Sequence, residues 1–305
     1  MPAHSDFHAI GPREWGLLTA LSILWGGSYL FMKIAVAYLP VFVIVFGRVS
    51  IAAIMLALIL IITGQGLPKK RENWIAFFGM GLLNNVLPMS LIVFGTQSIN
   101  AGLASIINAM TPLFTIVLAH ILTLDERLSV NKIFGVVFGL GGVIVLIGPG
   151  LLFSRDASTV GEVSCLFAAL SYASANIFGR RFVRLGLKPL QIAFGQVSGS
   201  TVILLPTLFL QDWNVISENI TWTPIACVIA LGVLCTGLAY VLFFAILNRS
   251  GATAVALVTL MIPPSAIALG VIVLNESLTI QQLAGMVLIG AGLIAVNRRA
   301  AQSRV

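Results

Sequence analysis

Polar side chains set inside long apolar runs are the residues of this chain whose type and spacing promise chemistry. Arg48 is the sharpest of them, about a third of the way along the run 41–62. A guanidinium can hold a carboxylate through two parallel hydrogen bonds. The alternative is that Arg48 pairs with backbone carbonyls or extends to the surface. Asn84, Asn85 and Pro88 interrupt the run 74–96, and Asn108, Thr111 and Pro112 interrupt 100–123. Proline removes a backbone donor and frees a carbonyl one turn back. A side-chain amide or a cavity water can satisfy that group. These residues therefore either line a pocket or tie helix to helix. Tyr172, Ser174 and Asn176 in the run 160–181, with Tyr240 in the run 223–246, are the second-half counterparts, and Gln196 corresponds to Arg48. Trp25 and Tyr172 lie several residues inside their runs, where interfacial anchoring is the poorer explanation and stacking on a planar substrate the better one. The candidate substrate-binding set is Trp25, Ser28, Arg48, Asn84, Asn85, Asn108, Tyr172, Asn176, Gln196 and Tyr240.

The same inventory argues against catalysis. There are no paired carboxylates, His-rich clusters, HExxH or Gly-x-Ser-x-Gly motifs. An integral-membrane enzyme is the alternative class, and it lacks residues to carry a reaction. A channel would need charged rings or repeated filter carbonyls. No cofactor or metal is called for: Cys165, Cys227 and Cys235 lie in apolar runs without ligand spacing. No Walker motif is present, so ATP is not a direct energy source. Asp6, Glu14, Glu72, Asp125, Glu126, Asp156, Glu162, Asp212, Glu218 and Glu276 are all the acids, and each reads as tail, loop or first turn of a run. A proton antiporter usually keeps a titratable group in mid-membrane. The expectation is therefore facilitated transport, or coupling that needs no buried acid.

The elements that must position these residues follow from composition. The chain is 59% hydrophobic and only 9% charged, where a soluble domain carries about 25% charged residues. The class is an all-α polytopic membrane protein. The chain also repeats itself. Phe46-Gly47-Arg48-Val49-Ser50 returns as Phe194-Gly195-Gln196-Val197-Ser198, and Asp125-Glu126-Arg127-Leu128-Ser129 as Asn275-Glu276-Ser277-Leu278-Thr279. Gly81 corresponds to Gly232, Pro112 to Pro263 and Lys33 to Arg180. Spanning runs fall at about 14–36, 41–62, 74–96, 100–123, 131–150, 160–181, 190–210, 223–246, 252–274 and 280–297. That is ten transmembrane helices as two five-helix repeats, 1–150 and 151–305. An odd number of spans per repeat inverts the second against the first. With the N-terminus in the cytoplasm, Lys33 and Arg155 alone fall outside, Arg48 lies within a span, and all other Lys and Arg stay inside. Both termini are then cytoplasmic. The first run has no cleavage signal and is expected to remain. The net charge of +7 sets topology rather than recruiting nucleic acid. The Gly135/Gly139 pair, with Gly141, Gly142 and Gly285, reads as helix packing, within a monomer or across a homodimer. Glu126 and Glu276 read as helix-end ties.

Trp25-Gly26-Gly27-Ser28, Pro112, Leu124-Asp125-Glu126-Arg127-Leu128 and a Gly-rich fifth run resemble the EamA-type members of the drug/metabolite transporter superfamily. The second half repeats the pattern with Pro263, Leu274-Asn275-Glu276-Ser277-Leu278 and Gly285, Gly290 and Gly292. Within that superfamily the chain is most similar to the YddG-type exporters of aromatic amino acids. The resemblance implies a multi-pass protein of the cytoplasmic (inner) membrane that exports a small metabolite by alternating access. Substrates across the family include amino acids, nucleotide sugars, drugs and organic cations. It also implies a central cavity lined by spans one to four and six to nine, in agreement with the polar inventory. Ser171-Tyr172-Ala173-Ser174 stands where Trp25-Gly26 would recur, so the pocket is expected to be asymmetric. The expected partners are the lipid bilayer and a small-molecule substrate.

Overall fold

The computed structural model describes residues 11–68, 70–123, 129–147, 156–213, 216–217 and 221–297. The Glu126 motif 124–128, the 148–150 turn and Arg155 lie outside the described residues. Everything regular among the described residues is helical. A bilayer dictates this, because a helix satisfies its own backbone polar groups where no water can.

Eight helices are long and apolar enough to cross a membrane: α1 Pro12–Ala35, α2 Val41–Ile62, α3 Arg71–Gly95, α4 Ala101–Leu122, α6 Ala157–Gly179, α7 Pro189–Leu210, α8 Trp222–Leu247 and α9 Leu257–Leu274. Between and after them, α5 (Val130–Ile147) and α10 (Ile280–Asn297) are further apolar helices of 18 residues each. Helix starts follow local chemistry. Pro12 and Pro189 occupy first-turn positions, where the missing N–H costs nothing. Asp156 caps α6 by accepting from the Thr159 N–H at 2.9 Å. At the other end of α9, Asn275 takes a left-handed conformation and the Glu276 N–H donates to the Gly270 carbonyl at 3.1 Å. Gly251 breaks the path from α8 to α9, with φ 75°.

Three irregularities shape the interior. The helix α3 widens into a π turn at Leu82–Val86, just before Pro88 removes an intrahelical donor. A second π turn occupies Val233–Leu238 of α8, 151 residues on, the offset that relates Gly81 to Gly232. The helix α4 breaks between Asn108 and Thr111.

Close helix contacts are built on small residues, as membrane packing favours. In α1, Ser22 donates to the Met261 carbonyl of α9 at 2.7 Å, and Ser265 donates back to the Ser22 carbonyl at 2.8 Å. The helices α5 and α10 pack on each other through Gly142 and Gly285, where a Cβ on either would sit 2.7–2.8 Å from the other's carbonyl oxygen. Gly135 meets Gly292 on the same seam and Gly139 meets Leu113 of α4, so the GxxxG pair is used within one chain. The reading of Gly141 as a packing glycine needs correction: nothing lies within 4 Å of its Cβ position, because it falls on the side of the helix away from the seam.

Candidate functional site

The centre of the bundle gathers polar side chains from α1, α2, α3, α4, α6, α7 and α8. Arg48 is 6% exposed, so it does not extend to the surface. Its Nε donates to Thr236 Oγ1 at 2.9 Å, and its Nη1 donates to Ser28 Oγ at 2.8 Å and contacts Met32 Sδ at 3.6 Å. Thr236 donates its own hydroxyl proton to the Leu231 carbonyl at 2.8 Å, which leaves lone pairs facing the arginine. Two hydroxyls and a thioether do not neutralise a guanidinium. Among the described residues Nη2 has no hydrogen-bond partner, and it is not one of the fully enclosed unpaired atoms.

A second group stands beside it. Asn84, in the π turn of α3, donates to Gln196 Oε1 at 3.0 Å and to the Tyr240 hydroxyl at 3.2 Å. Asn108, at the break in α4, donates to the Tyr29 hydroxyl at 2.8 Å, and its Oδ1 is enclosed without a partner. Tyr172 packs on the same central core as Tyr29 and Tyr240, and all three phenols lie in the neighbourhood of Arg48. The cluster thus offers one cation, three phenols and two amide oxygens within a largely apolar surround.

Seven of the ten expected residues meet here: Ser28, Arg48, Asn84, Asn108, Tyr172, Gln196 and Tyr240. The other three stand apart. Trp25 packs on Phe243, ring centroids 5.8 Å apart, in a satellite core with Leu21 and Ala239. Its place on α1 turns it toward α8 and α9, one face away from Ser28. Asn85 is 0% exposed and donates to Ser200 Oγ at 3.0 Å, so it ties α3 to α7. Asn176 is exposed and donates to Thr115 Oγ1 at 3.1 Å.

Two members were not expected. Thr236 is the counterpart of Asn85 at the 151-residue offset, and that offset is the signal that finds it. Tyr29 follows Ser28 directly, and three of the chain's four tyrosines converge at the centre. The expectation for the acids also needs correction. Glu162 lies in the second turn of α6 and is buried, because the Asp156 cap starts the helix at Ala157. Glu276 does tie a helix end: its carboxylate accepts from the N–H groups of Ala101 and Gly102 at 2.9 and 3.4 Å. Helices α5 and α10 contribute nothing to the cluster. Among the described residues no three His, Cys, Asp or Glu gather as metal ligands.

Comparison with known proteins agrees with this architecture. The sequence profile of the EamA-like transporter family matches residues 14–148 and again 159–298. The uncharacterized transporter YoaV of Bacillus subtilis (strain 168) is 27% identical, over 90% of this chain and 94% of its own. A protein of Salmonella typhimurium (strain LT2), named a probable amino-acid metabolite efflux pump, is 29% identical over 92% of this chain and 94% of its own. A solved crystal structure superimposes with a TM-score of 0.66 at 17% identity, covering 96% of this chain and 99% of that one. At that identity it shows a shared fold.

Proposed function

The chain belongs to the EamA-like transporter family, and from that premise we propose that this multi-pass membrane transporter exports amino acids, aromatic ones among them, across the cytoplasmic membrane. The observation that carries the reading is the buried Arg48 guanidinium, held by Thr236 and Ser28, with Nη2 unpaired among the described residues. A charge in a membrane interior is retained for function, and a carboxylate is the partner its fork geometry fits. The side chains of Tyr29, Tyr172 and Tyr240 offer π faces to a planar substrate. The amide oxygens of Asn84 and Asn108 are acceptors for an α-ammonium group. The relative named as an amino-acid metabolite efflux pump supports the same class. A buried guanidinium repels organic cations, which disfavours export of cationic drugs.

The proposal includes the mechanism. Two five-span repeats, 1–150 and 151–305, enter the membrane in opposite senses and move around the central cluster by alternating access. The repeated motifs, the two profile matches and the Lys/Arg asymmetry support this. Helices α5 and α10, at 18 residues, reach about 27 Å at 1.5 Å per residue, close to the roughly 30 Å hydrocarbon core. With ten spans both termini fall on one side, and the Lys/Arg asymmetry favours the cytoplasm as that side. No residue of the cluster forms a catalytic pair, so the substrate leaves unchanged.

The test is flux of labelled L-phenylalanine in liposomes holding the purified protein. Saturable flux, inhibited by unlabelled amino acids and leaving the substrate intact, is the expected result. Chemical conversion of the substrate would make the protein an enzyme, non-saturating flux would make it a channel, and transport of tetraphenylphosphonium in place of phenylalanine would reverse the charge assignment.

A further inference from the structure

Glu162 takes no part in the cluster, yet its surroundings demand explanation. It lies in α6, is 7% exposed and has no hydrogen-bond partner among the described residues. An ionised carboxylate so placed keeps little of its water shell and has no donor to replace the rest, which disfavours the charge. Among the described residues the fully enclosed unpaired side-chain atoms are Asn85 Oδ1, Ser90 Oγ and Asn108 Oδ1. The Glu162 oxygens are not among them, so a narrow opening reaches the carboxyl.

The neighbouring charges do not help. Asp156 heads the same helix, and it is negative. Cys165 follows one turn later. Helices α3 and α4, which pack against α6, bring no charged side chain to this end; Arg71, Glu72 and His120 are at the opposite end of those helices. Lys33 is occupied across the turn 96–100, where its Nζ donates to the Thr96 and Ile99 carbonyls at 2.7 and 3.0 Å. Its electrostatic partner is Glu276.

That turn is the second observation. It joins α3 to α4, on the outer side in the proposed topology, and it is clamped from several directions. Lys33 of α1 holds its carbonyls. Glu276 accepts from the first N–H groups of α4, and Asn100 donates to the Ser277 carbonyl at 3.1 Å. From beneath, α6 presses on it directly. A Cβ at Gly161 would lie 2.9 Å from the Gly95 carbonyl oxygen and 3.2 Å from Ile99, so only glycine permits the approach. Glu162 is the next residue. A cleft of about 580 Å³ opens above, lined by Lys33, Tyr38, Asn100 and Glu276 among others.

We propose that Glu162 is a proton-binding site that must be loaded for the outer side to close, so that closure of this transporter takes up one proton. The carboxylate accepts a proton from outer water while the end of α6 is uncovered. The neutral carboxyl is then buried as the turn 96–100 seats on Gly161. Reopening lets water return and the proton leave. The sign follows from linkage: the closed state binds the extra proton, so acid favours closure and alkali favours opening.

The experiment needs no substrate, so its failure leaves the export reading untouched. Ala101 is 0% exposed beneath the clamp. A protein carrying Ala101→Cys, reconstituted in liposomes, is labelled with a membrane-impermeant maleimide at a series of outer pH values. Labelling of the parent, whose three cysteines are buried, is subtracted. Each rate is divided by that of the same thiol in the denatured protein at the same pH, because the reactive thiolate fraction itself rises with pH. The normalised rate is expected to rise with outer pH, by at most about tenfold per unit for one proton. Adding Glu162→Gln is expected to hold the normalised rate low at every pH, because the amide cannot ionise. If that variant inserts poorly, Glu162→Met is used, with the same expectation. A pH-independent rate with Glu162 present overturns the proposal, and so does an unchanged pH dependence in the substituted proteins.

Discussion

Arg48 Nε donates to Thr236 Oγ1 at 2.9 Å, joining the second helix to the π turn of the eighth. The bond spans 188 residues of sequence. It works because the threonine proton is already given to the Leu231 carbonyl, so the oxygen presents only lone pairs to the guanidinium. The arginine is thereby aimed rather than neutralised.

Replacing the cation is the most direct test of its role. Arg48→Gln keeps a polar side chain that the corresponding position of the second half already carries, as Gln196. Loss of a charge-assisted hydrogen bond of roughly 1.5–3 kcal/mol is expected to raise the KM for L-phenylalanine by about one to two decades, with membrane yield retained. Wild-type kinetics would remove Arg48 from the site.

Thr236→Val removes the acceptor but preserves shape. Arg48 then loses one positioning bond and keeps Ser28. A loss of positioning of about 1 kcal/mol implies roughly a fivefold rise in KM. Combining Thr236→Val with Arg48→Gln is expected to add little beyond Arg48→Gln alone, since the aimed group is already gone. Full additivity in transport assays would separate the two residues.

The Glu276 carboxylate caps α4 through the Ala101 and Gly102 N–H groups. Glu276→Ala leaves those donors unmet. Removing a capping side chain costs about 0.5–2 kcal/mol, so the melting temperature in detergent should fall by several degrees. An unchanged melting curve would mean that the contact contributes nothing to stability.

The seam between α5 and α10 tolerates no side chain at Gly142 or Gly285, where backbone meets backbone. Gly285→Val is expected to separate the helices and lower the yield of folded protein. Gly141→Ala, into open space, is expected to be neutral or stabilising by up to about 1 kcal/mol. Size-exclusion profiles and thermal stability of the two variants should therefore differ in opposite directions from the parent. Equal behaviour would contradict the packing.

How much of this was legible beforehand depends on the kind of constraint. Eight spans, the breaks at Pro88 and Pro112 and the capping role of Glu276 were readable, because each rests on local chemistry: apolar length, a missing N–H, an acid beside a helix start. That most of the polar candidates gather at the bundle centre was also readable, since polar side chains in a bilayer turn inward. Inward has many directions, however. Trp25 and Ser28 are three residues apart, yet one packs on Phe243 and the other accepts from Arg48. The difference is less than a turn of rotation about α1, and nothing local determines where that helix is turned.

The sequence by itself determined the membrane class, the positions of the spans and the inventory of polar groups, because hydrocarbon penalises every exception one residue at a time. Tertiary structure decided which of those groups meet. The pairings of Arg48 with Thr236, of Asn84 with Tyr240 and of Lys33 with the turn below Glu276 join helices far apart in the chain. They depend on helix rotation and close approach, which the contacts of many apolar and small residues set together. The burial of Glu162 is of the same kind. Its position near a helix start made it look like a surface acid, and only the packing of Gly161 against Gly95 covers it.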